Sequence, residues 1–195
     1  ILLGTALPVL PVQILWVNMM TALLLGLMLV FEPKEHDLME RPPRDPAQPI
    51  LTFALLMRTG LVCLFMLLGA FGMFMWLQQE RPEAVAEART AVVNVVVIVL
   101  IFYLLNCRSL TRSMWKIGVF SNLWVIGGIG AMVAAQLLFT YAPVMNRLFH
   151  SAPLGLREWL VMTGIGLTVY AVVGFEKWLR FHPKPEGAGE GKRAA

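Results

Sequence analysis

The chain has 195 residues, of which 58% are hydrophobic and only 14% are charged. A soluble domain of this length would carry roughly a quarter of charged residues, so the composition excludes an ordinary water-soluble domain and favours a membrane protein. The net charge of +4 is modest, and the basic residues lie between apolar runs instead of forming a basic stripe with aromatic residues. This distribution argues against a nucleic-acid partner.

The first segment, residues 1–10, is predicted to be the end of an earlier helix, because Pro8 and Pro11 interrupt its apolar pattern. The chain starts at Ile1, and no basic segment precedes it. We therefore expect this sequence to be part of a longer polypeptide.

Five later segments are long and apolar enough to cross a bilayer as helices, which takes about 20 residues each. They cover roughly residues 12–31, 51–77, 91–106, 121–141 and 157–175. The predicted fold is an all-α membrane protein, a bundle of about five transmembrane helices plus the end of a preceding one. We assign residues 1–181 to this transmembrane domain and residues 182–195, which are rich in Pro, Gly and charge, to a disordered cytoplasmic tail.

The basic residues predict how the bundle is oriented. Eleven Lys and Arg residues lie in segments 32–50 and 107–120 and in the tail from 176, whereas the opposite loops contain four. The positive-inside rule makes the first group cytoplasmic, including the C-terminus, and we expect a plasma (inner) membrane location. Arg58 lies inside the second span and should extend its side chain toward the cytoplasmic interface.

Apart from Arg58, the polar residues inside the spans are predicted to be neutral, because we assign all twelve acidic residues to loops or the tail. The neutral set is Asn18, Thr21, Asn94, Tyr103, Asn106, Gln136, Thr140 and Thr163. The three histidines lie outside the spans and far apart, and the two cysteines are also far apart. We therefore predict neither a metal site nor a disulfide framework.

Asn18 and Thr21 are three residues apart and share one helix face with Ala22. Their oxygens could form part of an ion path, although a hard cation prefers several oxygen ligands, usually including a carboxylate. The alternative is an interhelical hydrogen bond that satisfies polar groups in lipid, and this is favoured on physical grounds alone because buried polar groups need partners in any case.

Tyr103 and Asn106 form a second candidate polar site at the end of the third span, although capping of that helix end is the favoured role for Asn106. The sequence contains no phosphate-binding loop, no H-E-x-x-H and no G-x-S-x-G. Whether the chain belongs to an enzyme is therefore left open by its own motifs.

The segment LPVQILWVNMMTALLLGLMLVFEP (10–33), followed by DLMERPPRDP (37–46), is the most informative stretch. It resembles the sixth transmembrane helix and following loop of P-type cation-transporting ATPases of the calcium-pump-like branch. Members show P-V-Q-L-L-W-V-N-x-x-T-D, a later Pro, and an M-x-R-P-P-R loop. The matching residues are Pro11, Val12, Gln13, Leu15, Trp16, Val17, Asn18, Thr21, Pro33, Met39, Arg41, Pro42, Pro43 and Arg44. FYLLNCRSL (102–110) resembles the end of the eighth helix, so the five spans match helices six to ten.

The resemblance implies the C-terminal membrane region of an ATP-driven cation transporter. It implies ATP and Mg as cofactors of the full-length protein, with the D-K-T-G-T phosphorylation motif and further ion-site residues preceding Ile1. The implied partners are the lipid bilayer, the transported cation and the missing N-terminal portion with its cytoplasmic domains. It also assigns Asn18 and Thr21 to the ion path.

Two positions depart from the pattern of this family. The Asp that follows the matched Thr in calcium-pump-like members is Ala22 here, and a Glu found six residues before the Asn matching Asn106 is Leu100. The loss of these two carboxylates has three possible explanations: the transported ion needs less negative charge, acids upstream of Ile1 compensate, or transport is impaired. Calcium is therefore not favoured as the transported ion.

The missing acids also support an alternative, a non-catalytic membrane scaffold or interaction module that is a degenerate or separated remnant of such a pump. A secondary transporter is less favoured, because no inverted repeat or broken mid-span helix is visible. An upstream reading frame with the phosphorylation motif would distinguish the pump from the remnant.

Overall fold

The computed structural model describes residues 7–31, 53–107 and 122–181, and these ranges contain helices and no β-strand. The helices are α1 (Pro11–Thr21), α2 (Phe53–Glu80), α3 (Val85–Cys107), α4 (Leu123–Tyr141), α5 (Pro143–Phe149) and α6 (Leu156–Phe181). After α1 the chain continues as a π-helical turn, Ala22–Gly26, and a 3₁₀ segment, Leu27–Phe31.

Five of these helical stretches are long and apolar enough to cross a membrane, which confirms the predicted all-α bundle. They are Pro11–Phe31, Leu55–Glu80, Val85–Cys107, Leu123–Tyr141 and Leu156–Glu176. Residues 7–10 are not helical, and Pro11 takes the first position of α1, where its missing N–H leaves no hydrogen bond unmade. The predicted tail (182–195) and the loop DLMERPPRDP (37–46) lie outside the described residues.

Helix α3 is the centre of the bundle. It is apolar on every face, and such a helix is stable only when other helices surround it. Val92, Val95 and Val99 pack in one cluster with α2 and α6. Val97 and Val93 pack in other clusters with α1 and α4. The other helices therefore lie on two sides of α3.

Glycines allow close contacts between helices, for example at Gly166 and Gly128. A Cβ on Gly166 of α6 would lie 2.5 Å from a ring carbon of Phe102 in α3. A Cβ on Gly128 of α4 would overlap the carbonyl oxygen of Leu24 in the π-helical turn. Because backbone atoms cannot move aside as side chains do, the second contact fixes α4 tightly against the turn that follows α1.

The assignment of all acidic residues to loops or the tail is wrong for four residues that lie in α2, α3 and α6, namely Glu80, Glu87, Glu158 and Glu176. Glu158 is only 3% exposed and accepts a hydrogen bond from Arg81 at 2.6 Å. Glu176 accepts one from Arg58, which is itself buried. A buried carboxylate is tolerated where a basic partner neutralises it. Arg58 is thus held by Glu176, the last residue of the candidate span Leu156–Glu176, and its extension toward the cytoplasmic interface stays a prediction.

Candidate functional site

The end of α1 departs from regular helix directly after Asn18 and Thr21. The N–H of Leu27 donates to the carbonyl of Ala22, five residues earlier, so the hydrogen-bonded turn contains one residue more than in an α-helix. Thr21 lies at the last position of α1, and its Oγ1 donates to the carbonyl of Val17 at 2.7 Å. Single π-helical turns are rare and occur frequently at functional sites. The irregular turn therefore places Asn18 and Thr21 beside altered backbone geometry.

Helix α4 holds the irregular segment in place at two points. Gly128 contacts the turn at Leu24, as described above. Asn122, at the N-cap of α4, donates from Nδ2 to the carbonyl of Phe31 at 3.2 Å. The rings of Phe31 and Trp124 stack with centroids 5.0 Å apart. The segment after Thr21 is therefore a supported part of the fold.

The side chains of the predicted ion-path pair are accessible. Asn18 and Ala22 are exposed and Thr21 is half-buried. The hydroxyl of Thr21 donates within its own helix, and the amide of Asn18 makes no side-chain hydrogen bond to any described residue. Within the described part of the chain, the side chains of Asn18 and Thr21 therefore do not form the interhelical hydrogen bond expected under the alternative interpretation.

Tyr103 and Asn106, the second predicted pair, face α2 and α6 and not α1. Tyr103 packs in the cluster formed with α2 and α6, and its hydroxyl lies near Thr59 and Arg58. Asn106 donates from Nδ2 to the carbonyl of Tyr170 in α6 at 3.4 Å. Asn106 therefore joins α3 to α6, a contact that the expected role in capping did not include.

Leu100 occupies a position that does face α1. It packs in the apolar cluster that contains Val17 and Leu25 of the first span and Val125 of α4. The position where the resembled pumps carry a carboxylate is therefore filled with an aliphatic side chain in contact with the same cluster. Among the described residues, no group of three or more His, Cys, Asp or Glu could hold a metal ion.

A buried polar network at the start of α1 was missed by the sequence analysis. Gln13 is fully buried, accepts from the N–H of Leu10, and donates to the carbonyl of Phe149 at 3.0 Å. Trp16 donates from its indole to Oε1 of Gln136 in α4 at 3.4 Å. These two residues belong to the P-V-Q-x-x-W-V-N motif, so part of that motif anchors α1 to α4 and α5.

The same network continues into α3. Asn94 donates from Nδ2 to Oγ1 of Thr140 at 3.1 Å, and Thr140 donates to the carbonyl of Gln136. All three residues are buried. Buried hydrogen bonds of this kind fix helix register, because a shift would leave the polar groups unsatisfied in an apolar interior. Thr163, in contrast, is exposed on the surface of α6.

The fold and these sites define a membrane-spanning helical domain whose first span carries neutral side-chain oxygens at Asn18 and Thr21. The family model described as "Cation transporting ATPase, C-terminus" matches residues 6–179. The chain belongs to this family, and it is the C-terminal transmembrane region of a cation-transporting P-type ATPase.

Three relatives illustrate the similarity. "Probable cation-transporting ATPase F" of Mycobacterium tuberculosis is 47% identical over 179 residues, covering 92% of this chain and 20% of the relative. "Cation-transporting ATPase pma1" of Synechocystis sp. is 34% identical over 83% of this chain and 18% of the relative. "Calcium-transporting ATPase" of Bacillus subtilis is 30% identical over 84% of this chain and 18% of the relative. The chain thus spans about a fifth of the length of the relatives that it matches.

Proposed function

We propose that this chain contributes the first described span, with Asn18 and Thr21, to the cation path of an ATP-driven transporter. The observation that carries the proposal is the exposed amide of Asn18 next to a π-helical turn, on the span that is least covered by the rest of the bundle. Only 11% of the apolar window of Pro11–Phe31 is buried, compared with 61% for α3.

The uncovered face of α1 indicates where the remaining partner lies. It carries Asn18 together with large apolar residues such as Leu15, which is 66% exposed. An amide is costly to leave in lipid, so we expect a protein partner on this face. Because the relatives are about five times longer, we propose that helices of their N-terminal portion cover it. ATP and Mg would act in that portion, and the cation would pass between it and α1.

The chemistry of the path constrains the cation. Asn18 and Thr21 provide neutral oxygens, and the positions of Ala22 and Leu100 provide no carboxylate. Divalent cations generally require several oxygens, including acidic ones. The transported ion is therefore one that needs less negative charge, such as a monovalent cation, or else the helices outside this chain supply the acids.

Asn18→Ala in the intact protein tests the proposal. We expect the apparent affinity for the activating cation in ATPase assays to fall about ten- to a hundredfold, because the loss of a polar contact to a charge costs about 1.5–3 kcal/mol. The matched control is Met19→Ala, at an exposed neighbouring position, which should leave activation unchanged. Equal activation by wild type and Asn18→Ala, at equal expression, would restrict Asn18 to a packing role.

A non-catalytic membrane scaffold remains the second candidate, because the acids that the family uses are absent at Ala22 and Leu100. Sequencing the transcript upstream of Ile1 separates the two candidates. A continuous frame with the phosphorylation motif supports the pump, whereas a natural stop supports the scaffold.

A further inference from the structure

A groove of about 230 Å³ lies between α2 and α6. It is lined by Leu68, Gly69, Gly72 and Trp76 of α2 and by Val161 and Ile165 of α6. At its inner end the two helices touch, because a Cβ on Gly69 would lie 2.7 Å from a methyl carbon of Ile165. Gly72 has no heavy atom within 4 Å of its Cβ position, so the groove opens outward there.

The dimensions of the groove match one leaflet of a bilayer. Leu68 and Trp76 are eight residues apart, and a rise of about 1.5 Å per residue separates them by about 12 Å along the helix. The end of α2 at Glu80 lies about 6 Å further. Half of a hydrocarbon core is about 15 Å, so the groove runs from the bilayer centre to the interface.

The interfacial end of the groove carries one positive and one negative side chain. Nη1 of Arg157 donates to both carboxylate oxygens of Glu80 at 3.1 Å, and the guanidinium lies 4.8 Å from the ring centroid of Trp76. The Arg157 side chain is 67% exposed and that of Glu80 33% exposed. Arg157 makes no other hydrogen bond within the described part of the chain, so most of its five N–H donors face outward.

We propose that this groove binds a phospholipid with a zwitterionic, primary-ammonium headgroup, of the phosphatidylethanolamine type. One acyl chain lies along Gly72 and Val161. The guanidinium of Arg157 binds the phosphate, a geometry that arginine favours. The ammonium donates to Glu80, whose carboxylate also accepts from the indole of Trp76 at 3.0 Å. Because Arg157 and Glu80 together carry no net charge, they complement a zwitterionic headgroup better than they complement an anionic one.

The test uses the intact protein in vesicles with a phosphatidylethanolamine that carries a photoreactive diazirine in its acyl chain. Labelled peptides are mapped by mass spectrometry, with unlabelled ethanolamine, choline or glycerol phospholipid as competitor. We expect labelling to concentrate on residues 68–76 and 161–165 and to be displaced best by the ethanolamine lipid. Gly72→Leu fills the groove and should lower this labelling about tenfold.

Gly60→Leu is the matched control, because its Cβ also has no heavy atom within 4 Å and it lies outside the groove on the same helix. Arg157→Gln leaves the apolar lining intact and should abolish the preference for the ethanolamine headgroup. The proposal would be overturned if labelling were uniform around the bundle and unchanged in Gly72→Leu. Equal displacement by the choline lipid would also overturn it. If the groove is labelled in vesicles but not in native membranes, a helix of another protein occupies it in the cell. That result would also overturn the proposal.

Discussion

Arg58 and Glu176 are separated by 118 residues in the chain, yet Nε of one and Oε2 of the other are 2.9 Å apart. The arginine is conspicuous in the sequence, because it is a charge inside an apolar run. Its partner is not, since the pairing depends on which face of α6 meets α2. The same holds for Gln13 and Trp16, which were recognised as motif residues but whose contacts to Phe149 and Gln136 follow only from the folded chain.

At the residue scale, the buried pair should behave as a coupled unit. Removal of Glu176 leaves an uncompensated charge on the buried Arg58, so Glu176→Leu should lower the free energy of unfolding by about 3 kcal/mol, and Arg58→Met should lower it as well. The double variant should lie much closer to wild type. Thermal and denaturant unfolding of the purified protein in detergent measures this cycle, and strictly additive losses would contradict the coupling.

At the scale of elements, the five long helices were predictable because each is a long apolar run bounded by charged or Pro-containing segments. The short helix Pro143–Phe149 was not predicted, because its seven residues are too few to show a periodic pattern. The π-helical turn after Thr21 was also not predicted, since no proline or glycine marks its beginning. Its geometry accompanies the contact of Leu24 with Gly128, which involves two distant segments of chain.

The Gly128 contact should be sensitive to a single methyl group. Gly128→Ala places a carbon atom against backbone, and overpacking of this kind costs about 1–3 kcal/mol of stability. Gly127→Ala is the matched control, because its Cβ position meets no heavy atom within 4 Å. Thermal unfolding of both variants decides the matter. Equal melting temperatures of Gly128→Ala and Gly127→Ala would show that α4 is not in close contact with the turn.

At the scale of the whole molecule, ion pairs join the α2–α3 turn to the start of α6. Arg81 binds both Glu87 and Glu158, and Arg157 binds Glu80. These residues therefore lie at one end of the bundle, as alternating spans require. The distribution of basic residues predicts that this end faces away from the cytoplasm and that the C-terminus is cytoplasmic.

Cysteine labelling tests the proposed orientation. In a variant with Cys63 and Cys107 replaced by Ala, a cysteine introduced by Glu83→Cys in the exposed α2–α3 turn should react with a membrane-impermeant maleimide added outside intact cells. A cysteine introduced by Ala195→Cys should react only after permeabilisation. The reverse pattern would invert the bundle, and reaction of both positions on the same side would contradict the three crossings, by α3, α4 and α6, that separate them.

The central claim is that the face of α1 with Asn18, Thr21 and Ala22 meets the transported cation. The most direct measurement is the cation dependence of ATPase activity in the intact protein carrying Ala22→Asp, with the neutral Ala22→Asn as control. If the ion passes this face, the added carboxylate should raise the preference for divalent over monovalent cations about tenfold or more, since charge on the ligand set governs that choice. The neutral variant should not. An unaltered preference in both variants, at normal expression and stability, would contradict the account.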